Sequence, residues 1–585
     1  MNEDNDQEIK SPALVSAPAL PTQEDPPTQP SASNPPSDST NPIAETTEPT
    51  DQKATESETP IDSSSQPLPK ATLGDGGSSK KGKYIIGLIL LVLIAGLGYA
   101  GWKVSTQKQV TAVKTQQVKK SVAIINVGVI DGSLNSFYPS ADDTSATSYQ
   151  VNNQVYEGLV QFQNVSKVVP SLATSWKNPD DSTWIFNLKS GVKFHDGKTM
   201  TAADVKASLE KYQDSAFGGV FTFDAKEITA LADNKIKIVT TAPDPLLLHK
   251  LAYLMIVDPT AKEGDAAGGT GPYTVKTGTT PSANALDLVA FDQYHGGKPL
   301  TKEVKWALYS SEDDLAGDVV KGKVDYTTSI DTEKNIELVS SKTKLTTVSD
   351  TGIGVTSLGI NVNKKGSPLQ NLKFRQAIAA ALDKKQIITD SNLKAEPAEQ
   401  AVTKDVPGYD SSIVLAKPNL DTAKKLLTEA GYPNGASFTI SYSKDTAQDQ
   451  VDSISKQLKQ INVTVKQDPY TNFDDLVEKA FTTGTDSYFL SYTTDLLDSS
   501  DVLSSLFQNI NYTSAPLDAL LDQASKTIDP AKRLTDLQSA SKLVIDDVGE
   551  VPIYSLTFNT TYNPNLMISR DTYNTTYFWH VYNKN

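Results

Sequence analysis

Hydrophobic positions change their spacing three times along this chain, and each change marks a boundary. Residues 1–83 show no hydrophobic period. They are rich in Pro, Ser, Thr, Glu and Asp, and carry fourteen acidic against six basic side chains. Such a segment cannot bury enough apolar surface to offset its ordering entropy, which predicts a disordered tail. Tyr84 to Trp102, YIIGLILLVLIAGLGYAGW, then runs nineteen residues without a charge. As a helix it spans roughly 28 Å, the thickness of a bilayer's hydrocarbon layer. Tyr84, Tyr99 and Trp102 sit near its ends, where amphipathic rings favour the interface. The pattern predicts a membrane helix over 84–102. Lys80, Lys81 and Lys83 precede it and only Lys103 abuts its far end, which puts the tail on the cytoplasmic side. The long prefix favours an uncleaved signal-anchor, with cleavage near Ala100 as the alternative. Residues 103–120, polar and without an apolar stripe, predict a stalk.

From Ser121 onward the periods are those of a folded domain, and the clearest stretch is Trp184 to Tyr212. Trp184, Phe186 and Leu188 alternate with polar neighbours at the two-residue period of a strand. Turns follow at Ser190-Gly191 and Asp196-Gly197, around a short extended piece at Val192 to Phe194. Thr201-Ala202-Ala203-Asp204 resembles a capping box, and Ala202, Val205, Leu209 and Tyr212 share one face of the helix behind it. Ala123 to Val129 and KIKIVT also read as strands, the second followed by a proline break and a helix at LLLHKLA. Leu372 to Ile388 predicts one helix with Phe374, Ile378, Ala381 and Ile388 on its apolar face. LDTAKKLLTEAGYPNG predicts a helix closed by Gly431 and Pro433. Residues 451–507 alternate helix, strand NVTVKQ, helix and strand SYFLSY, ending in a loop. Asp529 caps, and Pro530 opens, a helix with a stripe of Leu534, Leu537, Val544 and Val548, before a strand at Val551 to Ser555.

Composition narrows the chemistry. At 585 residues the chain is too long for one compact core. A net charge of −16 and a pI near 4.9 argue against nucleic-acid binding through a basic surface. Cysteine is absent, which removes disulfides, thiolate metal sites and a lipid-modified N-terminal cysteine. Arginine occurs only at 375, 533 and 570, so bidentate clamps for carboxylates or phosphates are scarce. The histidines, His195, His249, His295 and His580, lie far apart, with no HExxH, GxSxG or P-loop pattern. His195-Asp196 sits in a turn, and the carboxylate pairs Asp313-Asp314 and Asp546-Asp547 sit in solvated contexts. No enzyme and no cofactor are expected.

The stretch TWIFNLKSGVKFHDGKTMTAADVKASLEKY resembles the signature region of the bacterial peptide- and nickel-type extracellular solute-binding proteins, family 5. In that family a tryptophan-led strand, a G-V-K-F-H-D-G turn and a T-A-x-D-V helix start follow in this order. DGSLNSFYPS, the E-G-L turn after TSYQVNNQVY, GGTGPYTVK, FDQYHGGKP and the R-Q-A helix resemble further family segments, over about Ile124 to Tyr562. Phe291 and Asp292 stand where the family has Arg and Asn. The resemblance implies an α/β fold of the two-lobe, type II periplasmic-binding-protein class with an extra subdomain. Its expected layout is lobe I at 121–355 with a subdomain at about 160–268, lobe II at 356–552, and a return to lobe I at 553–585.

SYTTDLLDSSDVL, Ser491 to Leu503, resembles the family's N-W-x-A-D-Y-x-D/E-P segment, in which an aromatic and an aspartate line the cleft. In oligopeptide-binding relatives the aspartate pairs with the peptide's α-ammonium. Carried over by position, Asp495 is the ammonium partner, Tyr492 the aromatic wall and Thr493 a source of backbone bonds; an ordinary acidic loop is the alternative. The function implied is a monomeric, membrane-anchored extracellular receptor that hands short peptides to an ABC permease in the same membrane. The alternatives are import of nickel, haem or another chelate, and a surface signalling protein that keeps the fold without transport.

Overall fold

The computed structural model describes residues 119–584, except 131–133, 135–145, 165–166, 214–220, 233, 263–267, 278–283, 415–416, 481–483, 505–511, 513 and 571–574. The tail, the 84–102 span, nearly all of the stalk and most of DGSLNSFYPS lie outside the described residues. Among the described residues no helix is long and apolar enough to cross a membrane.

An eleven-stranded mixed sheet organises the domain. One half holds Tyr273–Val275, Ala285–Ala290, Thr301–Leu308, Val122–Val129 and Tyr326–Thr327 in that spatial order. The other half holds Ser487–Tyr492, Ser437–Ser443 and Thr464–Tyr470. Two long antiparallel strands, Thr346–Ile360 and Glu550–Tyr562, join them. The register of this ribbon shifts between Thr351 and Val355. On one side of the shift Tyr562 pairs with Tyr326, and on the other Val355 pairs with Tyr492. Gly352 lies at the shift, where an added Cβ would stand 2.7 Å from the Phe558 ring. Register breaks of this kind bend paired strands locally.

Each half-sheet has its own core. Ile125, Val127, Tyr156, Tyr273, Val304 and Trp306 pack the first. Leu358, Ile360, Phe374, Ile378, Phe438, Ile440 and Ile454 pack the second. A four-stranded antiparallel sheet, Ala173–Asp180, Thr183–Leu188, Lys235–Thr240 and Ala225–Ala232, extends from the first half. Trp184, Phe186 and Leu188 are buried there as the alternation predicts. Helix Ala202–Gln213 buries Ala202, Val205, Leu209 and Tyr212. Its capping box is formed: the Thr201 N–H and hydroxyl donate to Asp204 Oδ2 at 2.8 and 2.7 Å, and the Asp204 N–H reaches back to Thr201 Oγ1 at 3.4 Å.

Two expectations need correction. The predicted helix over Leu372 to Ile388 is two helices, Leu372–Ala381 and Lys384–Asp390. Asp383 breaks the run because its carboxylate accepts the Gln386 N–H at 3.1 Å and caps the second helix. In helix Pro530–Asp546, Leu534 is 39 % exposed and Val548 lies beyond the helix end. The buried face is Arg533, Leu537, Ala540, Ser541 and Val544, so an arginine holds the core-facing position assigned to its neighbour.

Candidate functional site

Two junctions tie the four-stranded sheet and its helices to the rest of the domain. The first gathers the signature motifs. Glu157 of the E-G-L turn accepts hydrogen bonds from His295 Nε2 at 2.8 Å, Thr270 Oγ1 at 3.0 Å and Tyr294 Oη at 3.1 Å. Lys189 Nζ lies 3.2 Å from His295 Nδ1, and burial pushes its ammonium below its ordinary value. Burial, with the Glu157 charge, drives the Tyr294 phenol upward. His195 is tied to the glycine-rich turn through its N–H to Gly269 O and its Nε2 to Gly271 O, both at 2.9 Å. Phe291 stacks edge-on against the same imidazole at 4.8 Å. A Cβ at Gly269 would stand 2.1 Å from Val155 O, so only glycine fits this approach. Beside the knot, Glu157, Asn153, Ser171, Tyr294 and Trp579 help line a cavity of about 20 Å³, room for one water. Donors and acceptors here match one another, and the motifs are joined by structural bonds.

The second junction is a seam at the carboxyl end of strand Ser487–Tyr492, the end at which open α/β sheets present ligand loops. The chain leaves the strand as the loop 493–498 and enters the short helix Ser499–Leu503. The Asp498 N–H donates to Thr494 Oγ1 at 2.8 Å, and Thr494 Oγ1 lies 2.9 Å from Asp501 Oδ2. Asp501 Oδ2 also accepts the Leu496 N–H at 2.8 Å. Leu497 is fully buried at φ 56°, a left-handed conformation that a branched side chain rarely adopts. Gly408 covers the loop at φ 101°, and a Cβ there would meet Ser499 Oγ at 1.9 Å.

The seam concentrates carboxyl groups. Asp498 is buried and grips Arg533 in a bidentate pair, Nη1 to Oδ2 at 2.5 Å and Nη2 to Oδ1 at 2.8 Å. Burial alone would raise the Asp498 carboxyl, but the hydrogen bonds and charge of Arg533 hold it below its ordinary value. Arg533 Nε donates to Ala524 O at 3.1 Å. Among the described residues Asp501 has no arginine partner. Its Oδ1 is shut from solvent without a hydrogen-bond partner among the described residues. Burial pushes this carboxyl up to about 8 against the bonds from Leu496 and Thr494, and the charges of Asp498 and Asp495 add to the rise.

Asp495, Tyr492 and Thr493 lie together at this strand end. Asp495 and Thr493 are half-buried, and Asp495 is near enough to Asp501 to act on its proton. Tyr492 stands edge-on to Tyr488 with ring centres 6.5 Å apart, and its hydroxyl is enclosed beside that of Tyr488. Behind them Glu550 is buried: desolvation raises its carboxyl to about 7, against a bond from Ser357 and the charge of Lys384. Burial in turn lowers Lys384 to about 8.

His249, on helix Leu247–Tyr253, faces the loop from the opposite side, with Nδ1 2.6 Å from Leu496 O. Around it Leu247, Leu251, Leu490, Leu497 and Val502 close into one apolar cluster. Sequence reasoning missed Arg533, Asp501 and His249. The signal for Arg533 was its helical register with Leu537, Ala540 and Val544. His249 gave none, because its partner lies 247 residues away. Among the described residues no group of His, Cys, Asp or Glu is placed to hold a metal ion.

Residues 167–514 match the family of bacterial extracellular solute-binding proteins, family 5, in its middle region. The match covers more than half of the chain, and the chain belongs to this family. It is a solute-binding protein rather than an enzyme. It is 27 % identical over 460 residues to the glutathione-binding protein GsiB of Pectobacterium atrosepticum, covering 73 % of this chain and 87 % of that protein. The fold is shared with HbpA2 of Haemophilus parasuis at TM-score 0.71 and 20 % identity, covering 79 % of this chain and 100 % of the other. It is shared too with the oligopeptide-binding protein AppA of Bacillus subtilis, solved with a nonapeptide, at TM-score 0.60 and 20 % identity, covering 80 % and 99 %.

Proposed function

We propose that the chain captures short peptides with a free α-ammonium outside the cell, glutathione-sized ligands included, and delivers them to an ABC importer. The observation that carries this reading is the acidic seam. Asp495 and Asp498 lie in the loop, Asp501 in the short helix after it, and one guanidinium, Arg533, answers Asp498. With Asp498 answered by Arg533 and the Asp501 carboxyl raised by burial, the half-buried Asp495 side chain is the group that meets a cation able to donate hydrogen bonds, which describes an ammonium. Asp495 receives that ammonium, Tyr492 walls the site, and the Thr493 backbone bonds the ligand's main chain. The relatives named for glutathione and the neighbour solved with a nonapeptide agree with this ligand class.

In this reading the two half-sheets act as lobes, divided near 355 and 553, that close on the ligand about the ribbon at Gly352. The uncharged stretch 84–102 anchors the receptor in the membrane beside its permease, with the tail of residues 1–83 in the cytoplasm and a monomeric binding domain outside. Calorimetric titration of the full chain with glutathione and with trialanine tests the proposal. Micromolar or tighter binding of either, lost on N-acetylation of the ligand, is the expected result. Equal binding of acetylated ligand overturns the ammonium reading, and binding of neither overturns the peptide class.

A further inference from the structure

From the contact between His249 and Leu496, we infer that His249 is a positioning residue: it bridges the seam, orients the 493–498 loop, and so assembles the ammonium site when the two halves meet. The inference rests on the receptor reading above. A carbonyl oxygen only accepts, so His249 Nδ1 carries the proton in the 2.6 Å bond to Leu496 O. The two peptide units flanking the Leu496 Cα are thereby both held. Asp501 takes the Leu496 N–H from within its own half at 2.8 Å, and His249 takes the Leu496 C=O from the other side of the seam. Asp495 precedes Leu496 in the chain and Leu497, held at φ 56°, follows it. A left-handed leucine persists only where its surroundings over-determine it, and Leu496 and Leu497 are both buried against the seam. The imidazole itself is set by its helix and by the Phe162 ring, edge-on at 5.5 Å. Opening the seam breaks the hydrogen bond from Nδ1–H to Leu496 O and releases the loop that carries Asp495.

The contact also gives ligand capture a proton dependence of definite sign. Burial at the seam holds the imidazole below its ordinary value, against the Leu496 bond. The charged groups facing it are Asp498, which raises it, Arg533, which lowers it, and Asp244 before its own helix, which raises it. Where the seam is open the ring returns toward the ordinary histidine value of about 6.5. Closure therefore expels a proton at acid pH, and affinity falls as pH drops through that value. Burial also raises the carboxyls of Asp501 and Glu550, so the comparison with a non-titrating variant at 249 is what isolates the histidine.

The test compares the full chain with His249→Ala and His249→Asn, whose side-chain amide nitrogen lies where Nδ1 does. Amide hydrogen exchange of segment 493–504 is followed by mass spectrometry in the chain as purified, and glutathione affinity is measured between pH about 5.5 and about 8. His249→Ala speeds exchange in that segment and weakens glutathione by roughly tenfold. His249→Asn restores both at pH 8 and lacks the acid decline of the wild type. Wild-type exchange in His249→Ala overturns the inference, as does an acid decline that survives unchanged in His249→Asn. Exchange is read whether or not glutathione binds, so failure of glutathione to bind counts against the receptor reading alone.

Discussion

The two junctions are built from similar groups and behave oppositely. At the knot, Glu157 accepts bonds from His295, Thr270 and Tyr294, and the glycines allow backbones to touch. At the seam, Asp501 keeps an oxygen without a hydrogen-bond partner among the described residues, Leu497 is held in a left-handed conformation, and Asp498 takes the guanidinium of Arg533. Satisfied networks fix a structure, whereas strain and unmatched polar groups persist where a ligand or a moving element completes the site. The signature motifs by which the family is identified therefore build the frame. The loop proposed to bind the ligand departs from the family pattern at Tyr492 and Leu497.

Substitutions that separate stability from binding break or sharpen this contrast. The largest effect is expected at Arg533, whose removal leaves Asp498 buried without its partner. Arg533→Ala should cost about 3–5 kcal/mol of stability, read by denaturant unfolding, and should abolish ligand binding. A smaller loss marks the knot. Gly269→Ala puts a Cβ within 2.1 Å of Val155 O and should cost about 1–3 kcal/mol, while the ligand affinity of the folded protein stays within about twofold. A large loss of affinity there would erase the distinction between the two junctions.

The smallest effect concerns the Asp501 proton. Its carboxyl is raised from 3.8 to about 8, so the folded state holds a proton that the unfolded state has released over that interval. This group therefore makes stability fall as pH rises from about 4 to about 8. Asp501→Asn, which still accepts from Leu496 and Thr494, should remove one proton's worth of that slope and leave the contribution of Glu550 in place. An unchanged slope in urea unfolding across that range would show that Asp501 is ionised in the fold.

Local periodicity made much of the frame legible. The alternation at Trp184 to Leu188, the Thr201 box and the Asp529-Pro530 start all carry their signals within a few residues. The break at Asp383 was hidden because Leu382 and Ile388 continue the apolar period while the Asp383 carboxylate turns to cap Gln386. Arg533 was missed by one position, since a long side chain whose guanidinium meets Asp498 can occupy a core-facing place that hydrophobicity assigns to leucine. Resemblance pointed to the 491–503 loop, but its strain, its raised carboxyl and its contact with His249 arise from chain segments that meet only after folding.

The central claim is that this acidic loop holds the ammonium of a short peptide. Its most direct test is mass spectrometry of the small molecules released when the purified full chain is denatured, for the wild type and for Asp495→Ala. Peptides of similar length leaving the wild type, with an empty Asp495→Ala protein, are the predicted result. A metal chelate or a sugar in the wild type, or peptides retained by Asp495→Ala, would contradict it.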